Sequence, residues 1–216
     1  MSSRRSATRS AWTRRGISLG AVAVLVAAMI ASTTFVNESE MAAFGAADFS
    51  AEEFADQFVI DMRQLMEETA VEVHVLAEAI RDDPDEAGER YGNDIGSGRY
   101  GFAVEAIGTA VEVDDLFARL EIHPDPDLDV RLPLSTTLNG TPIRDAMGVI
   151  SFGDFRDQTQ YQSVAHEIKV RVEEDVISPL DLEMLEGREV RVVGAWLSNG
   201  PPDTFVIQPV IAEVFE

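Results

Sequence analysis

The hydrophobic period of the chain changes at Tyr100, from about 3.6 residues before it to about 2 after it, so helices give way to strands there. Phe102, Val104 and Ala106 share one face, whereas Ile107, Thr109, Val111 and Val113 occupy the other. That slip of phase beside Gly108 predicts a bulge bending one long strand. Leu116, Ala118, Leu120 and Ile122 alternate next, and after a loop so do Val130, Leu132 and Leu134. A helical stripe of Tyr161, Val164, Ala165, Ile168, Val172 and Val176 then crosses, ending before Pro179. The runs EGREVRVVGAWLS and DTFVIQPVIAEVF, parted by the turn SNGPPD, supply the last strands.

Three strands, a helix and two strands in that order match an OB-fold, a five-stranded partly open barrel. The expected fold class is therefore α+β: an OB-fold-like small β-barrel with a crossing helix, spanning residues 100–216. Upstream, 37–99 is expected to be a juxtamembrane helical segment. Ser50 with Glu53 fits a capping box and Phe49 with Phe54 a hydrophobic staple, ahead of the stripe Phe54, Phe58, Met62, Leu65 and Met66. A second helix runs from about Val71 to Arg81, a short acidic one follows Asp83-Pro84, and residues 91–98 have the composition of a loop.

Ile17 to Val36 carries no charge and follows five arginines in the first fifteen residues. Twenty helical residues span about 30 Å, enough to cross a bilayer. The expected layout is a basic cytoplasmic tail over 1–15, a single transmembrane helix over 16–36, and a domain outside the cell membrane. A cleaved signal peptide is the alternative, although no convincing small-x-small cleavage site follows. The formal net charge is −22, and without the arginine-rich tail 12 basic residues face 39 acidic ones, a net of −27. Such a surface repels phosphate backbones, which excludes nucleic acid as the expected partner. There is no cysteine, hence no disulfide, thiolate metal site or acylated cysteine.

Two stretches carry candidate chemistry. In HPDPDLD, Asp125, Asp127 and Asp129 alternate like the opening of a calcium loop, but Val130 and Thr136 stand where an EF-hand needs glycine and glutamate. Calcium binding there is weighed against a solvated acidic hairpin stiffened by Pro124 and Pro126. In NGTPIRDAMGVISFGDFRDQTQY (139–161), Thr141 is expected to cap a helix beginning at Pro142 and stopped by Gly148. Val149, Ile150 and Phe152 then suit a brief buried strand, and Asp154 or Asp157 starts the crossing helix. Arg144, Asp154, Phe155, Gln158 and Tyr161 are the candidate ligand or partner contacts, because charged, amide and aromatic groups gather at the barrel crossing. Caps and core explain the same residue types: Phe152 and Phe155 filling the core, Asp154 capping, Arg144 paired with an acid.

The segments AEAIRDDPDEAGERYG, GTAVEVD, GTPIRDAMGVISFGDFRDQTQY and LEGREVRVVGAW with FVIQPV resemble the bacterial predicted periplasmic lipoproteins of domain of unknown function 2291. Gly153, Arg156 and Asp157 stand where that family's version is asparagine-rich. The resemblance covers about Val71 to Val214. It implies an extracytoplasmic location and an association with sugar ABC-transport systems, whose permease or solute-binding protein is the expected partner. Without a cysteine the lipoprotein label does not transfer. The expected function is a membrane-anchored accessory or binding module; the alternative is a calcium or small-ligand sensor using 125–129. No catalytic residue is expected: no Walker A loop, HExxH pair or GxSxG elbow is present, and the three histidines are scattered.

Overall fold

The protein is described by a computed structural model covering residues 49–198, 200–201 and 203–215. The expected membrane anchor and basic tail lie outside these residues. Among the described residues, no helix is long and apolar enough to cross a membrane.

The first helix, α1 (Ala51–Thr69), starts where expected: the Ser50 hydroxyl accepts the Glu53 N–H, closing off an otherwise orphaned donor. It buries Ala55, Phe58, Val59, Met62 and Met66. A two-residue strand, β1 (Val71–Glu72), leads into α2 (Val73–Asp82) and α3 (Pro84–Tyr91). Asp83 caps α3 by accepting the N–H groups of Asp85 and Glu86, with Pro84 at the first helical position. Residues 91–98 are not simply a loop. Asn93–Gly96 forms β2, an antiparallel hairpin with β3 (Arg99–Val113), because Gly96, Ser97 and Gly98 all take positive φ in the turn.

β3 is the central strand. It pairs with β4 (Phe117–Ile122) on one side and β6 (Glu189–Leu197) on the other, while β1 and β2 pair along its first part. The expected slip of phase is displaced. Gly108 stays in register with both Ile122 and Val190, and the irregularity falls between Ala110 and Glu112. One face, Phe102, Val104, Ala106 and Ala110, is buried throughout, and Ile107 is exposed. Ile107, Val111 and Val113 mislead because β-branched residues also suit half-covered strand faces. Leu116, expected in β4, precedes it and is exposed.

β4 pairs with β5 (Asp129–Pro133), and the last apolar run divides into β7 (Thr204–Val206) and β8 (Gln208–Phe215). β7 runs parallel to β5, while β8 pairs with β6. Because only Ile207 separates β7 from β8, the two ends of the sheet path meet through one residue and the sheet curls on itself. The Ile207 N–H also donates to the Arg131 carbonyl at 3.1 Å. Inside lie Leu120, Val130, Leu132, Val192 and Val210, with Trp196 packed at a tilt between Phe102 and Phe205 at centroid separations of 5.4 and 4.6 Å.

The crossing consists of α4 (Gly140–Asp145), a 3-10 turn (Phe152–Asp154) and α5 (Gln158–Val172), which continues as a π-helical turn to Ile177. Val164, Ala165, Ile168, Val172 and Val176 are buried, as the stripe predicts. Residues 50–216 form one compact unit. The boundary at 99/100 is thus a change of secondary structure within it, with α1 packed against α5.

Candidate functional site

Asn139, not Thr141, caps α4: its side-chain oxygen accepts the Thr141 N–H at 2.9 Å. An extended Asn139 places its oxygen over the helix start, so the helix begins at Gly140, before the proline. Gly140 lies so close to the Ala165 carbonyl of α5 that any β-carbon there would collide with it. The buried Gln208 of β8 accepts the Asn139 N–H at 2.7 Å, tying the helix start to the barrel. After α4 the chain reverses at Gly148, whose φ is +61° and which packs against the Asn93 side chain.

Residues 149–152 do not form the expected buried strand. Val149 and Phe152 are about half exposed, and the segment enters a 3-10 turn closed by Asp154. Three apolar residues, Val149, Ile150 and Phe152, interrupted by Ser151 and flanked by glycines, make a run too short for a ladder and lack strand partners for their backbone groups. Asp154 accepts from the Ser151 N–H at 2.7 Å and hydroxyl at 2.9 Å; these bonds, the backbone one foremost, hold its carboxyl below the usual range. Asp157 caps α5 through the Gln160 N–H.

The structure brings Arg144, Phe155 and Tyr161 together. Arg144 is buried and forks onto Asp145, with Nε–Oδ1 2.6 Å and Nη2–Oδ2 2.9 Å, and its Nη1 donates to the Tyr161 carbonyl at 2.8 Å. Its guanidinium lies 3.4 Å from the Tyr161 ring centroid. The Tyr161 hydroxyl returns to Asp145 Oδ1 at 2.8 Å. Burial first, then that hydrogen bond, pushes the Tyr161 phenol above its ordinary pKa. Phe155 is buried beside Tyr161, at 5.3 Å between centroids, and meets Phe54 of α1 edge-on at 5.6 Å. Phe152 meets Tyr161 edge-on at 5.7 Å while remaining exposed. Gln158 is exposed at the start of α5 and is not among the residues lining the neighbouring cleft.

In front of the cluster opens a cleft of about 620 Å³ between the β2–β3 hairpin, α4, the 148–152 loop, Tyr161 and Leu197. Asp145 and Tyr161 line it from the crossing, Asn93, Asp94 and Arg99 from the β2–β3 hairpin, and Phe152 from the 148–152 loop. That volume is in the range of small-molecule sites, about 300–1,000 Å³. Asn93, Asp94, Arg99 and Asp145 were missed by sequence reasoning. Only Asp145 had a signal, its adjacency to Arg144; the hairpin residues reach the site through tertiary pairing.

The acidic loop has no such arrangement. Asp125 is bound by Arg81 at 2.9 Å, and Asp129 is gripped by Arg131 through bonds of 2.8 and 2.6 Å. Asp127 is exposed. Among the described residues, no three His, Cys, Asp or Glu side chains converge as metal ligands, so the structure does not gather Asp125, Asp127 and Asp129 into a calcium cage. Two of the three carboxylates already face arginines, which would have to be displaced by a cation.

A curled sheet closed by a parallel β5–β7 pair, with a crossing helix and a side cleft, defines an OB-fold-like α+β protein. A crystal structure of an OB-fold protein from Thermotoga maritima is similar over 77% of this chain and 99% of its own, with a TM-score of 0.63 and 19% identity. The chain belongs to the family described as predicted periplasmic lipoprotein (DUF2291), whose pattern matches residues 22–213. No match was found among curated proteins.

Proposed function

We propose that the protein is a membrane-anchored extracytoplasmic binding module that serves a carbohydrate ABC-transport system, with the cleft between α4, α5 and the β2–β3 hairpin as its contact site. The observation that carries the binding role is the cleft wall: Arg144, itself buried, fixes Asp145 and Tyr161 from behind, so both face the opening already oriented. Family membership supports the extracytoplasmic location. The transporter association rests on the sequence resemblance to that family. For the anchor, the support is the uncharged stretch 17–36 behind the arginine cluster; a lipid thioether has no cysteine to form on in these 216 residues. No catalytic step is proposed for the cleft.

Crosslinking of the full-length chain in native membranes, followed by pull-down and mass spectrometry, tests this reading. Recovery of a sugar permease or solute-binding protein supports it, and recovery of this chain alone overturns the transporter role. Fractionation tests the anchor: a soluble, shortened product would replace it with a cleaved signal.

A further inference from the structure

We infer that the cleft takes a neutral small molecule bearing several hydroxyl groups, an inference that rests on the binding-module reading above. Its charges cancel locally. Asp145 is neutralised by the bidentate Arg144, and Asp94 and Arg99 of the hairpin add one charge of each sign to the lining without forming an ion pair with each other. An anion would meet two carboxylates in the walls of a chain of net charge −22. A divalent cation would find no cluster of three ligating side chains among the described residues. Burying a lone ammonium needs an uncommitted counter-charge; Asp145 no longer offers one, and Asp94 shares the lining with the Arg99 cation, which would repel it.

What the walls do offer is single acceptors set apart. An ionised carboxylate has about four lone-pair positions. Three of those on Asp145 are taken, by Arg144 Nε, Arg144 Nη2 and the Tyr161 hydroxyl. Tyr161 lines the cleft, and its hydroxyl, whose proton goes to Asp145, keeps lone pairs with which to accept. On Asp94, Oδ1 takes the Gly96 N–H, leaving Oδ2. Each site suits one hydroxyl proton. The Asn93 amide and the Arg99 guanidinium return donors to the same hydroxyl oxygens, so a group that both donates and accepts is matched where a pure cation or anion is not. Phe152, half exposed and held edge-on against Tyr161, supplies an apolar surface for the ligand's C–H face.

Isothermal calorimetry on the full-length protein in detergent tests this, with myo-inositol, glucose and maltose as neutral probes, putrescine as the cation and citrate as the anion. The expected result is binding of at least one neutral probe, with an affinity that changes less than twofold between low and high salt. It should weaken tenfold or more in both Phe152→Ala and Asp94→Asn, which alter exposed side chains, and be unchanged in Asp127→Asn. Binding of putrescine or citrate that the Phe152 and Asp94 variants abolish would overturn the ligand class and leave the binding module standing. Failure of all five probes would overturn both.

Discussion

The 125–129 loop and the cleft at 139–161 are built from the same residue types, arginines facing aspartates, yet they end in opposite states. In the loop, Arg81 reaches across to Asp125 and Asp203, and Arg131 reaches along its own strand to Asp129, on an exposed surface. The partners neutralise each other and leave little to offer. In the cleft, Arg144 sits inside the protein and approaches Asp145 from behind, with a cavity on the far side. A carboxylate becomes part of a site when its counter-ion is buried behind it; the same pair laid flat on the surface is only surface.

The largest expected difference between the regions is in stability. Arg144→Leu should destabilise the protein by about 2–3 kcal/mol in urea unfolding, since it strands a half-buried carboxylate and a carbonyl. Arg131→Leu should cost no more than about 1 kcal/mol, less in high salt. Equal costs would break the comparison. Next, Tyr161→Phe removes the hydroxyl bond to Asp145 and should cost about 1 kcal/mol. The same change sharpens the account optically. Burial raises the pKa of Tyr161, and the neutral phenol stabilises the fold below its unfolded value near 10, an effect lost as pH rises through the higher folded value. Phenolate absorbance of the native protein should therefore lag behind that of free tyrosine, and the lag should shrink in Tyr161→Phe.

Smaller still is the acid-side effect of Asp154. The bonds from Ser151 depress its folded pKa, so its contribution is present above the unfolded value near 4 and is lost as pH falls through the folded one. Asp154→Asn should flatten the fall in thermal midpoint in that window relative to the native chain. The smallest expected effect is that of calcium: millimolar calcium should move the thermal midpoint by less than 1 °C or so, because displacing Arg81 and Arg131 offsets what the cation gains. A shift of several degrees, lost in the triple alanine substitution of Asp125, Asp127 and Asp129, would restore the loop as a sensor.

The main strands were legible because alternation in β4 and β5 coincides with one-sided burial and β6 is an apolar run buried on both faces, and the stripe of α5 predicts its buried face except for the half-buried Tyr161; β1, β2 and the division of the last run into β7 and β8 were not. Asp157 and Ser50 were legible as caps for the same local reason. The helix start at Asn139 was not, since Thr141-Pro142 carries an equally good local signal and the choice is made by the bond between Asn139 and Gln208, 69 residues away. The 149–152 segment misled because apolar composition does not say whether a chain has strand partners. For the site, the sequence pointed to Arg144, Phe155 and Tyr161, which do meet. It could not supply the rest of the lining, where Asn93, Asp94 and Arg99 arrive only through the β2–β3 hairpin, or remove Gln158 from the group.

The most direct measurement is amide NMR on the full-length protein in nanodiscs, titrated with the neutral probe that binds best. The cleft account predicts shifts concentrated at Asn93, Asp94, Asp145, Phe152 and Tyr161, with residues 125–129 unmoved. Shifts centred on 125–129, or a saturated protein with an unperturbed cleft, would contradict it.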